Sequence, residues 1–199
     1  MQHPVQLNKR ATDYLKEYRD AQTLLVAGST STGFLQNWKP PPGQLYKLNF
    51  DAATFDSGSG VDAVIRNAAG EVMAALSSRG EVVSDSEEAE VLACRKALEF
   101  AIDAGFSKLI VEGDNSVVMS SVVSNTPIWS RLGVVYDDIR HLAAGLHFVS
   151  FTCIRRSANS VAHSLARYAN VLDEEAVWLE DSPPPARDAL YFDLSGLNE

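Results

Sequence analysis

Three acidic residues, Asp51, Glu90 and Asp114, stand at positions where carboxylates can do chemistry. Asp51 closes an alternating apolar segment and Asp114 closes the apolar run KLIVEG, so each ends a predicted strand. Glu90 shares a helical stripe with Ala93 and Ala97, which places its carboxylate at the inward edge of a buried helix face. Strand ends of α/β sheets gather ligand sites, and converging carboxylates repel one another unless divalent cations neutralise them. We therefore expect these residues to bind a divalent metal.

Each carboxylate also has a purely structural interpretation. Aspartate is a frequent turn residue after a strand, which would account for Asp51. Asp114 also stands directly before a predicted helix, where aspartate commonly caps the first turn. Glu90 is harder to explain in this way, because an inward carboxylate needs a partner or a metal.

The elements that must position these residues follow from the spacing of apolar side chains. LYKLNFDAA, VDAVIRN and EVMAALSS read as three strands joined by short turns, which predicts an antiparallel meander. SDSEEAEVLACRKALEFAIDAGF predicts a long helix with N-caps and a terminal glycine, and KLIVEGD predicts a buried strand. Two helices, the strand HFVSFTCI and the helix NSVAHSLARYA follow. The predicted fold is α/β, with a five-stranded mixed sheet flanked by helices in the order βββαβααβα.

The amino-acid composition changes on both sides of this predicted α/β pattern. Residues 1–43 contain a predicted helical arm over 9–27 and a linker rich in Pro and Gly, and the predicted domain covers residues 44–170. Residues 171–199 form an acidic tail with eight acidic side chains and one basic side chain, and they carry most of the net charge of −9. We expect the tail either to pack on the domain through Trp178 and Tyr191 or to remain mobile. The arm and the tail are candidate contact surfaces for a protein partner.

The composition excludes several classes of protein. Hydrophobic residues make up 46% and charged residues 22% of the chain, close to the globular average, which argues against a disordered or fibrous protein. No apolar run approaches the roughly 20 residues that span a bilayer. The N-terminal residues also lack the apolar stretch of a signal peptide. We expect an intracellular protein, nuclear or cytoplasmic, that does not contact a membrane.

Four motifs occur in register over more than a hundred residues: LNFDAA, AEVLACRKALEFA, VEGDN and RRSANSVAHSLAR. In this order and spacing they resemble the ribonuclease H-like domain of plant retrotransposon polyproteins and their domesticated relatives. The segments NWKPPPGQLYKLN and VWLEDSPPP resemble the flanks of that domain, so the resemblance covers about residues 36–186. It implies a ribonuclease H-like fold that hydrolyses the RNA strand of RNA–DNA hybrids.

The resemblance also implies roles for particular residues. The family has a set of four carboxylates that bind two Mg²⁺ or Mn²⁺ ions, and the first three match Asp51, Glu90 and Asp114. The fourth position holds His163, which adds no negative charge and suits hard Mg²⁺ less well than a carboxylate, so we expect a weakened activity. Arg155 and Arg156 match basic positions that contact nucleic acid, although an exposed basic pair is more often a solvated face. Cys153 stands where the family often has a histidine, so that histidine's role does not carry over.

Two other functions remain open at this point. One is a catalytically degenerate ribonuclease H-like fold that acts as a protein-interaction or nucleic-acid-binding module, which the acidic balance, His163 and Cys153 favour. The other is a 3′–5′ exonuclease of related architecture, whose acidic residues follow a different order along the chain. His163 itself has a structural interpretation as a residue near the start of a helix.

Overall fold

The computed structural model describes residues 36–124, 126 and 128–197. The predicted arm helix at 9–27 lies outside these residues. Seven strands belong to one sheet: β1 (Tyr46–Asn49), β2 (Ala52–Phe55), β3 (Gly58–Arg66), β4 (Val72–Gly80), β5 (Lys108–Gly113), β6 (Phe148–Cys153) and β7 (Ala176–Leu179). Within the described part of the chain, five α-helices accompany them: α1 (Ser86–Asp103), α2 (Ser116–Val123), α3 (Gly133–Ala144), α4 (Ser160–Tyr168) and α5 (Arg187–Ser195). Short 3₁₀ turns are formed by Arg156–Ala158, Ala169–Val171 and Pro184–Ala186.

The sheet is mixed, with the strand order β6-β5-β1-β3-β4-β7 and with β2 paired to β3. The meander is antiparallel, whereas β1, β5 and β6 run parallel to one another. The α/β fold with a mixed sheet and flanking helices is confirmed, but the described residues form seven strands rather than five. The two additional strands are β2, which continues beyond Asp51 along β3, and β7, which comes from the tail and pairs with β4.

Both faces of the sheet are covered. One apolar cluster joins β1, β3 and β5 to α1, α2 and α3, with Leu48, Ile65 and Leu98 among its buried residues. A second apolar cluster lies on the other face, where Val64 of β3 packs with Leu165 of α4 and with Leu190 of the tail. Every residue of β3 is buried, because both faces of the sheet are covered. Apolar side chains of this strand therefore point to both faces of the sheet.

The clearest predicted helix forms as α1 because its two ends are well specified. Asp85 caps it, accepting a hydrogen bond of 2.8 Å from the backbone N–H of Glu88. The helix is followed by Gly105 with a φ of +85°, a conformation that glycine adopts without strain. Among the helices of the described residues, none is long and apolar enough to cross a membrane.

The tail residues that the structure describes continue the domain. Trp178 of β7 and Ala189 of α5 pack against the second apolar cluster, and Leu190 is buried within it. Tyr191, in contrast, is exposed. The predicted domain boundaries at 43/44 and 170/171 stay a prediction, although described residues beyond both of them contact the core.

Gly60 in β3 allows α4 to lie directly against the sheet. A Cβ atom added to Gly60 would lie 2.1 Å from the carbonyl oxygen of Ala166 and 2.8 Å from Cβ of Ala169. We expect Gly60→Ala to lower the free energy of unfolding by about 1–3 kcal/mol, measured by urea denaturation. Gly145→Ala is the matched control, since its added Cβ meets the Leu142 carbonyl at 3.4 Å. Equal stability of the two variants would contradict this account of the helix–sheet contact.

Candidate metal centre

The three predicted carboxylates come together at one edge of the sheet. Asp51 lies between β1 and β2, Asp114 directly follows β5, and Glu90 projects from the second turn of α1. One oxygen of each side chain lies within 4.8 Å of one oxygen of the other two. Because β1 and β5 are parallel neighbours, their carboxyl ends bring Asp51 and Asp114 to the same place.

The backbone is interrupted where it carries Asp51. The β1–β3 pairing stops at Asn49 and the β2–β3 pairing starts at Ala52. In this gap the Asp51 N–H donates to the side-chain Oδ1 of Asp62 on β3, at 2.7 Å, instead of to a backbone carbonyl of that strand. The Asp51 carboxylate therefore stands at a break in the sheet, next to a second, fully buried aspartate.

Burial and mutual repulsion dominate the electrostatics of the cluster. Burial, followed by the charges of Asp51 and Asp114, raises the pKa of Glu90 from its ordinary 4.5 to about 9. Burial and then the Asp51 charge raise the pKa of Asp114, and the same two causes raise the pKa of Asp62 well above its ordinary value. Without a cation, these carboxyl groups therefore favour their protonated forms over a full set of negative charges.

The buried Oε2 of Glu90 has no hydrogen-bond partner among the described residues, and neither has the buried Oδ2 of the adjacent Asp62. Buried polar oxygens normally have partners, and an unpartnered one marks a place for a ligand or an ion. Closely spaced carboxylate oxygens are the ligands that hard divalent cations prefer. The donor set therefore fits a divalent cation, and metal binding by Asp51, Glu90 and Asp114 stays a prediction.

His163 and Arg156 border the carboxylates. Nδ1 of His163, on α4, lies 2.7 Å from Oδ2 of Asp51. Nη2 of Arg156 lies 2.9 Å and 3.0 Å from the two ring nitrogens of His163, so it sits over the face of the imidazole. Nη1 of Arg156 is 4.0 Å from Oδ2 of Asp114, and its side chain is 65% exposed. Thus the fourth predicted position does reach the cluster, and Arg156 does too.

The second predicted arginine occupies a different environment. Arg155 is exposed, and its backbone N–H donates to the side-chain oxygen of Gln36 at 2.9 Å. A groove of about 470 Å³ runs from Glu90 between β2 and α4, and its cationic lining residues are Arg156 and Arg167. The structure thus adds Arg167 to the basic residues near the carboxylates, a residue that the sequence analysis did not single out.

Two further residues near the site were missed from sequence. Asp62 stands in the mainly apolar segment VDAVIRN, where a charged residue inside a buried strand is the available signal. Asn159 is buried at the start of α4, and its Nδ2 donates to the carbonyl oxygen of Phe50 at 2.9 Å. Nothing in its local sequence distinguishes Asn159 from an ordinary helix cap.

The metal-free protein should lose stability as the pH rises from about 5 to 9. Unfolded Glu90 ionises near its ordinary 4.5, whereas the folded protein keeps the proton until about pH 9. Between these values the unfolded state binds fewer protons, so the free energy of unfolding falls with pH. Asp62 and Asp114, with raised pKa values, act in the same direction. Thermal unfolding with a chelator tests this, and a constant melting temperature over the window would contradict it.

The fold and the carboxylate cluster define a ribonuclease H-like domain. The family described as reverse transcriptase-like matches residues 49–169, and the chain belongs to this family. No curated protein sequence matches the chain at a significant level.

Solved structures show the same fold. The ribonuclease H1 of the archaeon Halobacterium salinarum is 26% identical with a TM-score of 0.58, and the match covers 64% of this chain and 98% of that one. A ribonuclease H1 isolated from compost, crystallised with an RNA/DNA hybrid, is 20% identical with a TM-score of 0.54, covering 62% and 95%. The protease–reverse transcriptase of prototype foamy virus is 15% identical with a TM-score of 0.54, covering 71% and 23%. The fold and the acidic cluster together support a nuclease activity of the ribonuclease H type.

Proposed function

We propose that the chain is a metal-dependent endoribonuclease that hydrolyses the RNA strand of RNA–DNA hybrids. The observation that carries this proposal is the approach of Asp51, Glu90 and Asp114 to within 4.8 Å of one another on a ribonuclease H-like fold. Charged groups this close and this buried are costly to the fold, and the cost is explained if the site works with a cation bound.

Asp51, Glu90 and Asp114 would hold Mg²⁺ or Mn²⁺, and the resemblance to the family implies two ions. When bound, such ions lower the pKa of a water molecule, polarise the scissile phosphate and stabilise the leaving 3′ oxygen. The protein's own residues would bind and orient these ions. Asp51 is held by its backbone bond to Asp62, and Glu90 offers an oxygen without another partner.

His163 is the residue that we expect to weaken the activity. It contacts Asp51 from the position where the resemblance implies a carboxylate, and it brings no negative charge to the ions. A neutral imidazole is a poorer ligand for hard Mg²⁺ than a carboxylate oxygen. The proposed enzyme should therefore bind its metal less tightly than a four-carboxylate site, and Mn²⁺, which accepts nitrogen ligands more readily, should support it better.

An RNA–DNA hybrid is the proposed substrate because the fold belongs with ribonucleases H, one of which was crystallised with such a hybrid. Arg156 is exposed beside the carboxylates, and Arg167 lines the adjoining groove, so both can meet backbone phosphates. Arg155 is proposed as a further phosphate contact from the same turn. Selection of the RNA strand would depend on groove shape and on contacts to 2′-hydroxyl groups.

A second candidate function is a catalytically degenerate fold that serves as a protein-interaction or nucleic-acid-binding module. The observation that favours it is that Nδ1 of His163 lies 2.7 Å from Oδ2 of Asp51 and Nη1 of Arg156 lies 4.0 Å from Oδ2 of Asp114. Groups of the chain itself thereby offset part of the charge that a cation would neutralise. The net charge of −9 favours the protein-interaction form of this module, since nucleic-acid affinity depends mainly on basic side chains.

The motif resemblance also supports proposals about the evolutionary origin and the cellular location of the protein. We propose a common origin with the ribonuclease H-like domains of plant retrotransposon polyproteins. Activity on RNA–DNA hybrids would place the protein in the nucleus or the cytoplasm. The segments before residue 44 and after residue 170 are proposed as contact regions for a protein partner.

Hybrid cleavage with a site variant tests the proposed function. The protein is incubated with a labelled RNA–DNA hybrid in Mg²⁺ and, separately, in Mn²⁺, beside Asp51→Asn. We expect cleavage of the RNA strand alone, with 5′-phosphate and 3′-hydroxyl products, and a loss on the order of 10³-fold in the variant. Several kcal/mol of transition-state stabilisation depend on the ions, and each 1.36 kcal/mol is tenfold in rate. No cleavage with either metal by the folded protein would favour the binding module instead.

A further inference from the structure

A buried polar network lies beneath the carboxylate cluster and begins at Arg66 of β3. Its guanidinium is 1% exposed and stacks 3.6 Å from the ring centre of Trp38. Nη1 of Arg66 donates to Oδ2 of Asp193 at 2.6 Å, and Nη2 donates to Oδ1 of Asn49 at 3.2 Å. A residue before the sheet and a residue of the last helix thus meet at one arginine of the central strand.

Asn49 is the junction of this network. Its Oδ1 also accepts a hydrogen bond of 3.1 Å from Nε1 of Trp38. Its Nδ2 donates to Oε2 of Glu112 at 3.0 Å and to Oδ1 of Asn159 at 3.3 Å. One buried amide therefore connects β1 to β5, to the start of α4 and to the segment before the sheet.

Asn49 and two of its partners, Glu112 and Asn159, lie directly next to residues of the candidate site. Asn49 itself is two residues before Asp51, and Glu112 is two residues before Asp114. The carbonyl oxygen of Asn159 accepts the backbone N–H of His163 at 2.9 Å. The backbone positions of three site residues are consequently tied to the same few hydrogen bonds.

We propose that this network positions Asp51, Asp114 and His163 relative to one another, and that Trp38 and Asp193 are positioning residues of the metal site. Both residues lie outside the span 49–169 that matches the family. The inference rests on the proposed function for the identity of the ligand, but the arrangement of Asp51 and His163 can be measured without a metal. It assigns a role in the site to the end of the acidic tail.

The charge of Arg66 explains why Asp193 matters at a distance. Asp193 is the carboxylate that pairs with Arg66 in the described residues, and Glu112 is the next carboxylate whose charge acts on it. A buried guanidinium without its partner turns to the nearest other acceptor. Without the Asp193 charge, Arg66 would compete for Glu112, which is already bonded to Asn49. The shift would be transmitted to the ends of β1 and β5.

The test uses the full chain and two variants that remove different members of the network. Asp193→Asn removes the charge and keeps the shape, and Trp38→Phe removes the Nε1 donor and keeps a stacking ring. The readouts are the imidazole nitrogen signals of His163 in metal-free protein by NMR, and the dissociation constant for Mn²⁺. We expect both variants to shift the His163 signals towards those of Asp51→Asn. We expect their Mn²⁺ dissociation constant to rise on the order of tenfold, as is usual when groups behind metal ligands are altered.

Asp188→Asn is the matched control, because it makes the same charge change at an exposed position of the same helix. It should leave both readouts unchanged. Folded Asp193→Asn and Trp38→Phe proteins with wild-type His163 signals would overturn the proposal, even if their melting temperatures fall. If Asp193→Asn does not fold, Trp38→Phe decides. If the wild-type protein binds no Mn²⁺, the proposed function fails and the His163 signals alone judge this inference.

Discussion

Replacing Glu90 by glutamine should abolish hydrolysis of RNA–DNA hybrids while making the metal-free protein more stable at pH 8. The carboxylate is buried, Oε2 has no partner in the described residues, and burial with its acidic neighbours raises the pKa of Glu90 to about 9. Glutamine keeps the size of the side chain, carries no charge, and can donate to Asp51 as the protonated acid does. The fold would thereby keep the hydrogen bond without the cost of holding Glu90 protonated at pH 8, where the unfolded state releases this proton.

The two effects have separate magnitudes. The loss of a metal ligand should lower the rate of cleavage on the order of 10³-fold, since the ions supply several kcal/mol of transition-state stabilisation. The gain in the free energy of unfolding should reach at least about 1 kcal/mol, because one pKa unit corresponds to 1.36 kcal/mol. Hybrid cleavage and urea denaturation with a chelator measure the two quantities on the same protein preparation.

Glu99→Gln is the control for this substitution. Glu99 lies on the same helix, and its side chain is 44% exposed beside Arg95. The control should retain activity, and its stability should change little, as is typical of exposed ion pairs. A Glu90→Gln protein that loses both activity and stability would show that Glu90 has a stabilising role in the metal-free fold, contrary to this prediction.

The carboxylate positions can be predicted from sequence because each depends on a local pattern. Asp51 and Asp114 end strands that alternation and apolar runs reveal, and Glu90 follows from the periodicity of one well-capped helix. The parallel pairing of β1 with β5 then brings the strand ends together, which is the ordinary consequence of an α/β sheet. Convergence of Asp51 and Asp114 follows from strand order, and Glu90 joins them because the apolar face of α1 packs on the sheet.

The buried polar residues behind them could not be found in this way. Arg66 pairs with Asp193, 127 residues further along the chain, and Asn49 bonds to Asn159, 110 residues away. Within VDAVIRN a charged residue in an apolar strand predicts only that some partner exists. The identity of that partner depends on tertiary packing, on which the local pattern carries no information.

The strand β7 shows that prediction from a local pattern is limited for secondary structure as well. It has four residues, all apolar, yet its valine and leucine are exposed and only its alternate residues are half-buried, so four apolar letters do not reveal an edge strand. It forms because the edge of β4 offers unpaired backbone groups and because Trp178 packs against the core. The acidic tail has too little apolar surface for a core of its own, and β7 instead uses the core of the domain.

Changing His163 to aspartate should raise the rate of hybrid cleavage in Mg²⁺ on the order of tenfold. His163 already reaches the site, since Nδ1 lies 2.7 Å from Oδ2 of Asp51. A carboxylate there would add a negative charge and a hard oxygen ligand, and ligands of that kind hold Mg²⁺ best. An improvement of about 1.4 kcal/mol in transition-state binding gives the tenfold change.

The same substitution should make the fold more dependent on metal. A fourth carboxylate increases the repulsion that already raises the pKa of Glu90 and Asp114, so the metal-free His163→Asp protein should unfold at a lower temperature than the wild type. Saturating Mg²⁺ should restore more of this stability than it adds to the wild type, because binding to the folded state stabilises it by mass action. Thermal unfolding with and without Mg²⁺ measures the difference.

His163→Asn is the control that distinguishes the effect of adding a charge on the rate of cleavage from the effect of removing the imidazole. Asparagine removes the ring without supplying a carboxylate, so it should not raise the rate of cleavage. If His163→Asp is active and the wild type is not, the histidine alone accounts for a degenerate site, and the fold behind it remains competent. If His163→Asp cleaves more slowly than the wild type, the imidazole contact with Asp51 is itself part of how this site works, and the expectation of a weakened enzyme is wrong.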